Sequence, residues 1–298
     1  MIVMKFGGAS LSTSEGISKA CRIIKTYWRE EKIILVVSAM KGITDKLFLV
    51  SEYLKKNNIK EALKLIEDIK RSHIKALYEF DFRPQAVKTE SEIINLISRL
   101  TNFINNISQK RITPARVDFI VSFGERLSCP IVANALEMNG MSAHPIDASY
   151  IMATNNDFGN AIPLYKKSQH HINEILIPLI NNNIIPVVTG YIGFTHDGCS
   201  TTLGRGGSDL SAAYLANLLG AKALYLWKDV KGFYDIDPNK NKNAKKFTKL
   251  SYNKAKALAK KGAKIIYYKA IEPVKNKNIP IYIKSFIDPE EVGTIVGK

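Results

Sequence analysis

Apolar residues follow two alternating patterns along the chain. Strand candidates are Ile2–Phe6, Ile33–Ser38, Asp118–Phe123, Ile184–Val188, Ala223–Trp227, Ile265–Tyr268 and Ile279–Lys284, several of them continuous apolar runs. Runs of this length, rich in Ile and Val, predict strands covered on both faces. Between them the spacing becomes helical. Ile17, Cys21, Ile24 and Trp28 form one stripe over residues 14–29. Leu47, Val50 and Leu54 form another over 44–56, with Thr44 placed to cap that helix. Residues 59–80 and 90–108 predict two longer helices around a loop at Asp81–Gln85. Strand–helix alternation predicts a mainly parallel sheet between helical layers. The Lys/Asn-rich segment Asn239–Lys249 predicts a mobile loop, and no Pro- or Ser-rich linker divides the chain. The expectation is one domain, 1–298, with two lobes.

Composition narrows the class. With 298 residues and 46% hydrophobic content the chain can bury a large core. The best membrane candidate, Ile172–Phe194, is broken by Glu174, Asn181, Asn182, Asn183 and two prolines, so no membrane partner is expected. The N-terminus runs straight into a strand, so no signal peptide is expected. Cys21, Cys129 and Cys199 are odd in number and unpatterned, which predicts a cytoplasmic protein without disulfides or a thiolate metal site. The net charge of +16 raises nucleic acid as a partner. From Lys222 onward, however, 18 lysines face 7 acidic residues, and only 9 of the 43 basic residues are Arg. Aromatic-interleaved basic motifs of RNA modules are absent. The expectation is a Lys-rich solvated surface near an anionic ligand and no nucleic acid.

In such folds ligands sit beyond the carboxyl ends of strands, and four such stretches stand out. In "KFGGAS" (Lys5–Ser10), Gly7 and Gly8 can bring backbone N–H groups to an anion beside Lys5, or form a plain turn. "SAMKGITDKL" (Ser38–Leu47) leads into a helix whose start either binds an anion or is simply capped. In "SFGERLS" (Ser122–Ser128), Glu125 either complements a helix dipole or receives an ammonium group. In "TTLGRGGSD" (Thr201–Asp209), Arg205 offers a planar fork for a carboxylate, Ser208 is placed to cap a helix ended by Gly220, and Arg205 and Asp209 either pair together or serve a ligand.

These stretches, with "WKDVKGFYDIDP" (Trp227–Pro238) and "GAKIIYYKAIEP" (Gly262–Pro273), stand in the order found in aspartokinases of the amino-acid kinase family, which the whole chain resembles. The resemblance implies an αβα sandwich with a central, mainly parallel sheet. It implies an aspartate-binding N-terminal lobe (about 1–200) and an ATP-binding C-terminal lobe (about 201–298). The activity implied is transfer of the γ-phosphoryl group of ATP, with Mg2+ held mainly by the phosphates, to the β-carboxylate of L-aspartate. The product starts the route to lysine, threonine and methionine. By the same resemblance Lys5 and Asp209 are catalytic, and Gly7 and Gly8 contact the phosphoryl oxygens. Ser38, Thr44, Glu125 and Arg205 hold aspartate, with Gly206, Gly207 and Ser208 shaping the loop. Lys228, Asp229, Tyr234, Lys264 and Ile265 match nucleotide-contacting positions.

The chain departs from the family pattern at several points. Ala9 replaces a threonine, W-T-D becomes W-K-D at Lys228, and Asn239 with Lys240 stands where an arginine is common. Tyr267–Tyr268 replaces His-Pro. Paired ACT regulatory domains usually follow; none is expected here, nor is inhibition by lysine or threonine. A homodimer through the catalytic domain is expected. Two rivals are a kinase for another carboxylic amino acid such as N-acetylglutamate, whose acylated amine needs no Glu125, and a non-catalytic pseudokinase, against which the intact Lys5, Arg205 and Asp209 argue.

Overall fold

The first apolar run forms β1 (Ile2–Phe6), near the middle of an eight-stranded sheet in a computed structural model. Residues 1–80, 84–107, 111–236, 244–263 and 265–298 are described. After β1 come α1 (Ser14–Trp28), β2 (Ile33–Val37), α2 (Ile43–Lys55), α3 (Ile59–Phe80), α4 (Pro84–Ile107), α5 (Pro114–Val121) and α6 (Phe123–Met138). Next are β3 (Ala143–Ile146), α7 (Tyr165–Asn181), β4 (Ile185–Thr189) and the hairpin strands β5 (Ile192–Phe194) and β6 (Ser200–Thr202). The chain continues with α8 (Gly207–Leu218), β7 (Leu224–Lys228), β8 (Lys249–Ser251), α9 (Tyr252–Lys260), α10 (Ile271–Lys275), β9 (Ile281–Ser285) and β10 (Thr294–Gly297).

The strand order is β3-β4-β2-β1-β7-β9-β10-β8, and every adjacent pair is parallel except β9–β10. Because successive strand residues point to opposite faces, the core divides in two. Ile2, Met4, Phe6, Ile33, Leu35 and Val37 pack against α1 and α6, with α2 to α4 beyond. Val3, Ile34, Val36, Leu224, Leu226 and Ile281 pack against α7, α8 and α10. Lys5 shares the face of Val3. Exposing Met4 and Phe6 would cost about 1.5–3 kcal/mol each, so core packing fixes which way Lys5 points.

Some expected elements differ. Asp118–Phe123 is not a strand: it runs from α5 into α6. Thr113 caps α5 by accepting the Arg116 N–H, and Pro114 occupies its first position. Ile265–Tyr268 is likewise no strand; it forms a turn leading into a short 3-10 segment, Tyr268–Ala270. The helix expected at 90–108 begins at Pro84, inside the expected loop Asp81–Gln85, of which residues 81–83 lie outside the described residues, as do 108 and the start of Asn239–Lys249. Neither Thr44 nor Ser208 is a cap. Gly42 and Gly206 occupy those N-cap positions with φ 80° and 76°, a region glycine enters without a Cβ penalty. The hydroxyl residues therefore fall inside the first turn. One stretch, Pro114–Met138, is long and apolar enough to cross a membrane by length and composition; 94% of its most apolar window is buried inside the protein.

Candidate active site

Two lysines reach the carboxyl edge of the sheet from neighbouring strands. Lys5 on β1 lies beside Leu226 on β7, and Lys228, two residues further along β7, shares its face. Both meet Asp209 in the first turn of α8. Lys5 Nζ is 2.9 Å from Asp209 Oδ1, while Lys228 Nζ is 2.9 Å from Oδ1 and 2.8 Å from Oδ2. Lys5 and Asp209 are 6% and 4% exposed, so water screens little of this attraction. Burial alone would raise the Asp209 pKa. The charges of Lys228 and Lys5, and the hydrogen bonds they donate, outweigh it and hold the carboxyl well below the usual carboxylate range. Burial lowers the Lys228 pKa despite the attraction of Asp209. The cluster carries two positive charges and one negative, at a helix N-terminus that is itself positive.

Across the cavity stands Glu125, in the first turn of α6 and 3% exposed. Among the described residues its Oε2 has no hydrogen-bond partner. Burial pushes its pKa up to about 8, against the hydrogen bonds of the Ala39 and Glu125 N–H groups and the charges of Lys5 and Arg126. Arg126 points elsewhere, donating to Asp147 Oδ2 at 2.5 Å and Ser200 Oγ at 3.0 Å. Glu125 Oε2 is thus an acceptor facing the cavity that no described side chain engages.

Loops close the space between these groups. Gly8 is required for packing: a Cβ there would lie 2.5 Å from the Ala39 carbonyl oxygen. The Lys41 N–H donates to Ser12 Oγ at 2.8 Å, holding the two loops together. A Cβ on Gly7 would stand 3.7 Å from Lys5 Nζ. At Gly206 an added Cβ would meet Tyr267 Cβ at 2.5 Å. Arg205 is exposed, and Asp209 pairs with lysines rather than with it.

A cavity of about 900 Å³ is lined by Lys5, Ser38, Thr44, Glu125, Arg205, Gly206, Gly207, Ser208, Asp209 and Lys228. Gly7 and Gly8 flank it without lining it. Asp229 is exposed outside it, Tyr234 bridges to Lys246, and Ile265 does not line it. Lys264, with Asn239 and Lys240, lies outside the described residues. Sequence reasoning missed Tyr191 and Phe48, which line the cavity. Tyr191 has φ 68° and donates its N–H to Ser211 Oγ at 2.9 Å. It lies two residues beyond the end of β4, so the strand-end rule could have found it.

A mainly parallel sheet covered on both faces, with paired ammonium groups and a helix N-terminus at its carboxyl edge, defines an α/β protein whose site is suited to an anion. The sequence model of the amino acid kinase family matches residues 1–285, and the chain belongs to that family. It is 33% identical to aspartokinase 1, chloroplastic, of Arabidopsis thaliana, over 99% of this chain and 52% of that protein. It is 30% identical to lysine-sensitive aspartokinase 3 of Escherichia coli, over 99% of this chain and 64% of that protein. Its fold matches E. coli aspartokinase III in complex with aspartate and ADP, with TM-score 0.89 and 30% identity, covering 100% of this chain and 64% of that one. The chain thus spans about half to two thirds of the length of these relatives.

Proposed function

We infer that the chain carries aspartate kinase activity, transferring the γ-phosphoryl group of ATP to the β-carboxylate of L-aspartate to give 4-phospho-L-aspartate. One observation carries the reading: the net-positive Lys5–Asp209–Lys228 cluster shares a cavity with a buried, unpartnered Glu125 oxygen. The first suits a phosphoryl group and the second an amino acid's ammonium. Likeness to relatives named aspartokinases supports the pairing.

The attacking carboxylate is ionised at neutral pH, so no general base is needed. The obstacle is repulsion between two anions. Lys5 neutralises the group in transfer, Asp209 holds Lys5 in place, and the Gly7–Gly8 backbone borders the same point. Glu125 takes the ammonium of aspartate, Arg205 forks its α-carboxylate, and Ser38 and Thr44 contact its remaining polar groups. Among the described residues no group of three or more His, Cys, Asp or Glu gathers to hold a metal, and Asp209 is already occupied by two lysines. Mg2+ would arrive on the nucleotide, where it would neutralise phosphate charge. The product starts the route to lysine, threonine and methionine.

The test is hydroxylamine trapping of the acyl phosphate with MgATP and aspartate, run beside N-acetylglutamate and other carboxylic amino acids. Aspartate alone should yield hydroxamate. No product from aspartate, or more from an acylated analogue, would overturn the reading.

A further inference from the structure

Lys228 stands where the family pattern carries a threonine, and its surroundings show what the change supplies. An ammonium has three donors. Asp209 takes two of those of Lys228, at 2.9 and 2.8 Å, and one of those of Lys5, at 2.9 Å. Both lysines line the cavity, so donors remain for a ligand without Asp209 letting go. Lys5 and Asp209 alone would form a neutral pair; Lys228 makes the buried cluster positive. Glu125 does not cancel that charge while its proton is retained. Of the nearby lysines described, Lys231 pairs with Asp288 and Glu291, and Lys284 lies over the Trp227 ring on the opposite face; Arg205, which also lines the cavity, is assigned above to the acceptor's α-carboxylate. Lys228 is also only 16% exposed at its side chain, unlike a solvated surface lysine.

We propose that Lys228 is a second phosphate-gripping ammonium, held beside Lys5 by Asp209, which makes this site read the charge of a polyphosphate tail rather than the nucleoside. The proposal rests on the kinase reading above and specifies how its phosphate end works. A threonine there could donate one hydrogen bond but bring no charge. Charge-assisted hydrogen bonds are the stronger kind, and a low-dielectric site amplifies the difference.

The experiment needs no acceptor. Inorganic tripolyphosphate and adenosine are each titrated by calorimetry into the wild-type chain, Lys228→Thr, Lys228→Met and Lys228→Arg. Lys228→Met keeps most of the stem's packing if Lys228→Thr folds poorly, and thermal melts report folding. Loss of one such bond corresponds to a tripolyphosphate affinity about tenfold to hundredfold weaker in the Thr and Met variants. Adenosine binding should stay unchanged, and Lys228→Arg should recover most of the loss. Equal weakening of adenosine and tripolyphosphate, or no weakening in a folded variant, overturns the proposal, as does a wild-type chain that ignores tripolyphosphate. Normal tripolyphosphate behaviour without aspartate phosphorylation would overturn only the acceptor assignment.

Discussion

Replacing Glu125 by Gln removes a titratable group from a buried position while nearly keeping its shape. Its carboxyl is displaced from an ordinary value of 4.5 to about 8, chiefly by burial. Between those values the folded chain holds a proton that the unfolded chain has released. Stability therefore falls as pH rises from about 4.5 to about 8, and levels off above that. At about 1.4 kcal/mol per pH unit, the ceiling on this loss is about 5 kcal/mol, a large part of a typical folding free energy. Urea unfolding of wild type and Glu125→Gln, without ligand, from pH 5 to pH 9 measures it. The difference between the two curves cancels other carboxylates such as Asp118, whose pKa burial also raises. The variant's advantage should grow steadily toward pH 8 and then stop. A difference that stays flat across this range would refute the reasoning, because Glu125 would then be ionised in the folded chain throughout. Aspartate should also release close to one proton on binding at pH 6 to 7, read by calorimetry in buffers of different ionisation enthalpy.

Three further outcomes follow from the geometry. Lys5→Ala should lower kcat by about a hundredfold or more with little change in the KM for aspartate, because Lys5 acts on the group in transfer; steady-state kinetics showing only a raised KM would contradict its role. Arg205→Lys should raise the aspartate KM several-fold with a smaller effect on kcat, since a point charge replaces a bidentate fork, and an unchanged KM would remove Arg205 from substrate binding. Gly206→Ala should destabilise the fold by about 2–4 kcal/mol, combining positive φ with a Cβ 2.5 Å from Tyr267; chemical denaturation giving a loss below about 0.5 kcal/mol would mean the loop relaxes freely.

Much of the sheet was legible because its long strands are fully buried. Ile33–Val37 is apolar along its whole length and Ile2–Phe6 is broken only by the buried Lys5, a texture that a doubly covered strand explains. Asp118–Phe123 has the same texture but folds as helix, since Thr113 and Pro114 start one just upstream and the buried Asp118 accepts hydrogen bonds from Gly159 and Thr202. The apolar positions of α5 and α6 are buried all round, which erases helical periodicity. Strands of three or four residues, such as Ser200–Thr202 and Lys249–Ser251, carry too few positions to show any period. At the site, glycine loops after strands pointed to the right segments. The partner of Asp209 could not be read locally: Arg205 is four residues away in sequence, yet Lys5 and Lys228 win because the sheet brings both to the head of α8.

That arrangement gives the N-terminal strand an unusual sensitivity to register. A one-residue slip of β1 could leave the hydrogen-bonded ladder intact, yet it would exchange the two sides of the strand. Phe6 would then be carried toward the head of α8, and the ammonium of Lys5 toward the apolar layer under α1. Neither position could accept its new occupant, so the register of β1 is fixed from both sides, by the core under α1 and by the cluster at α8.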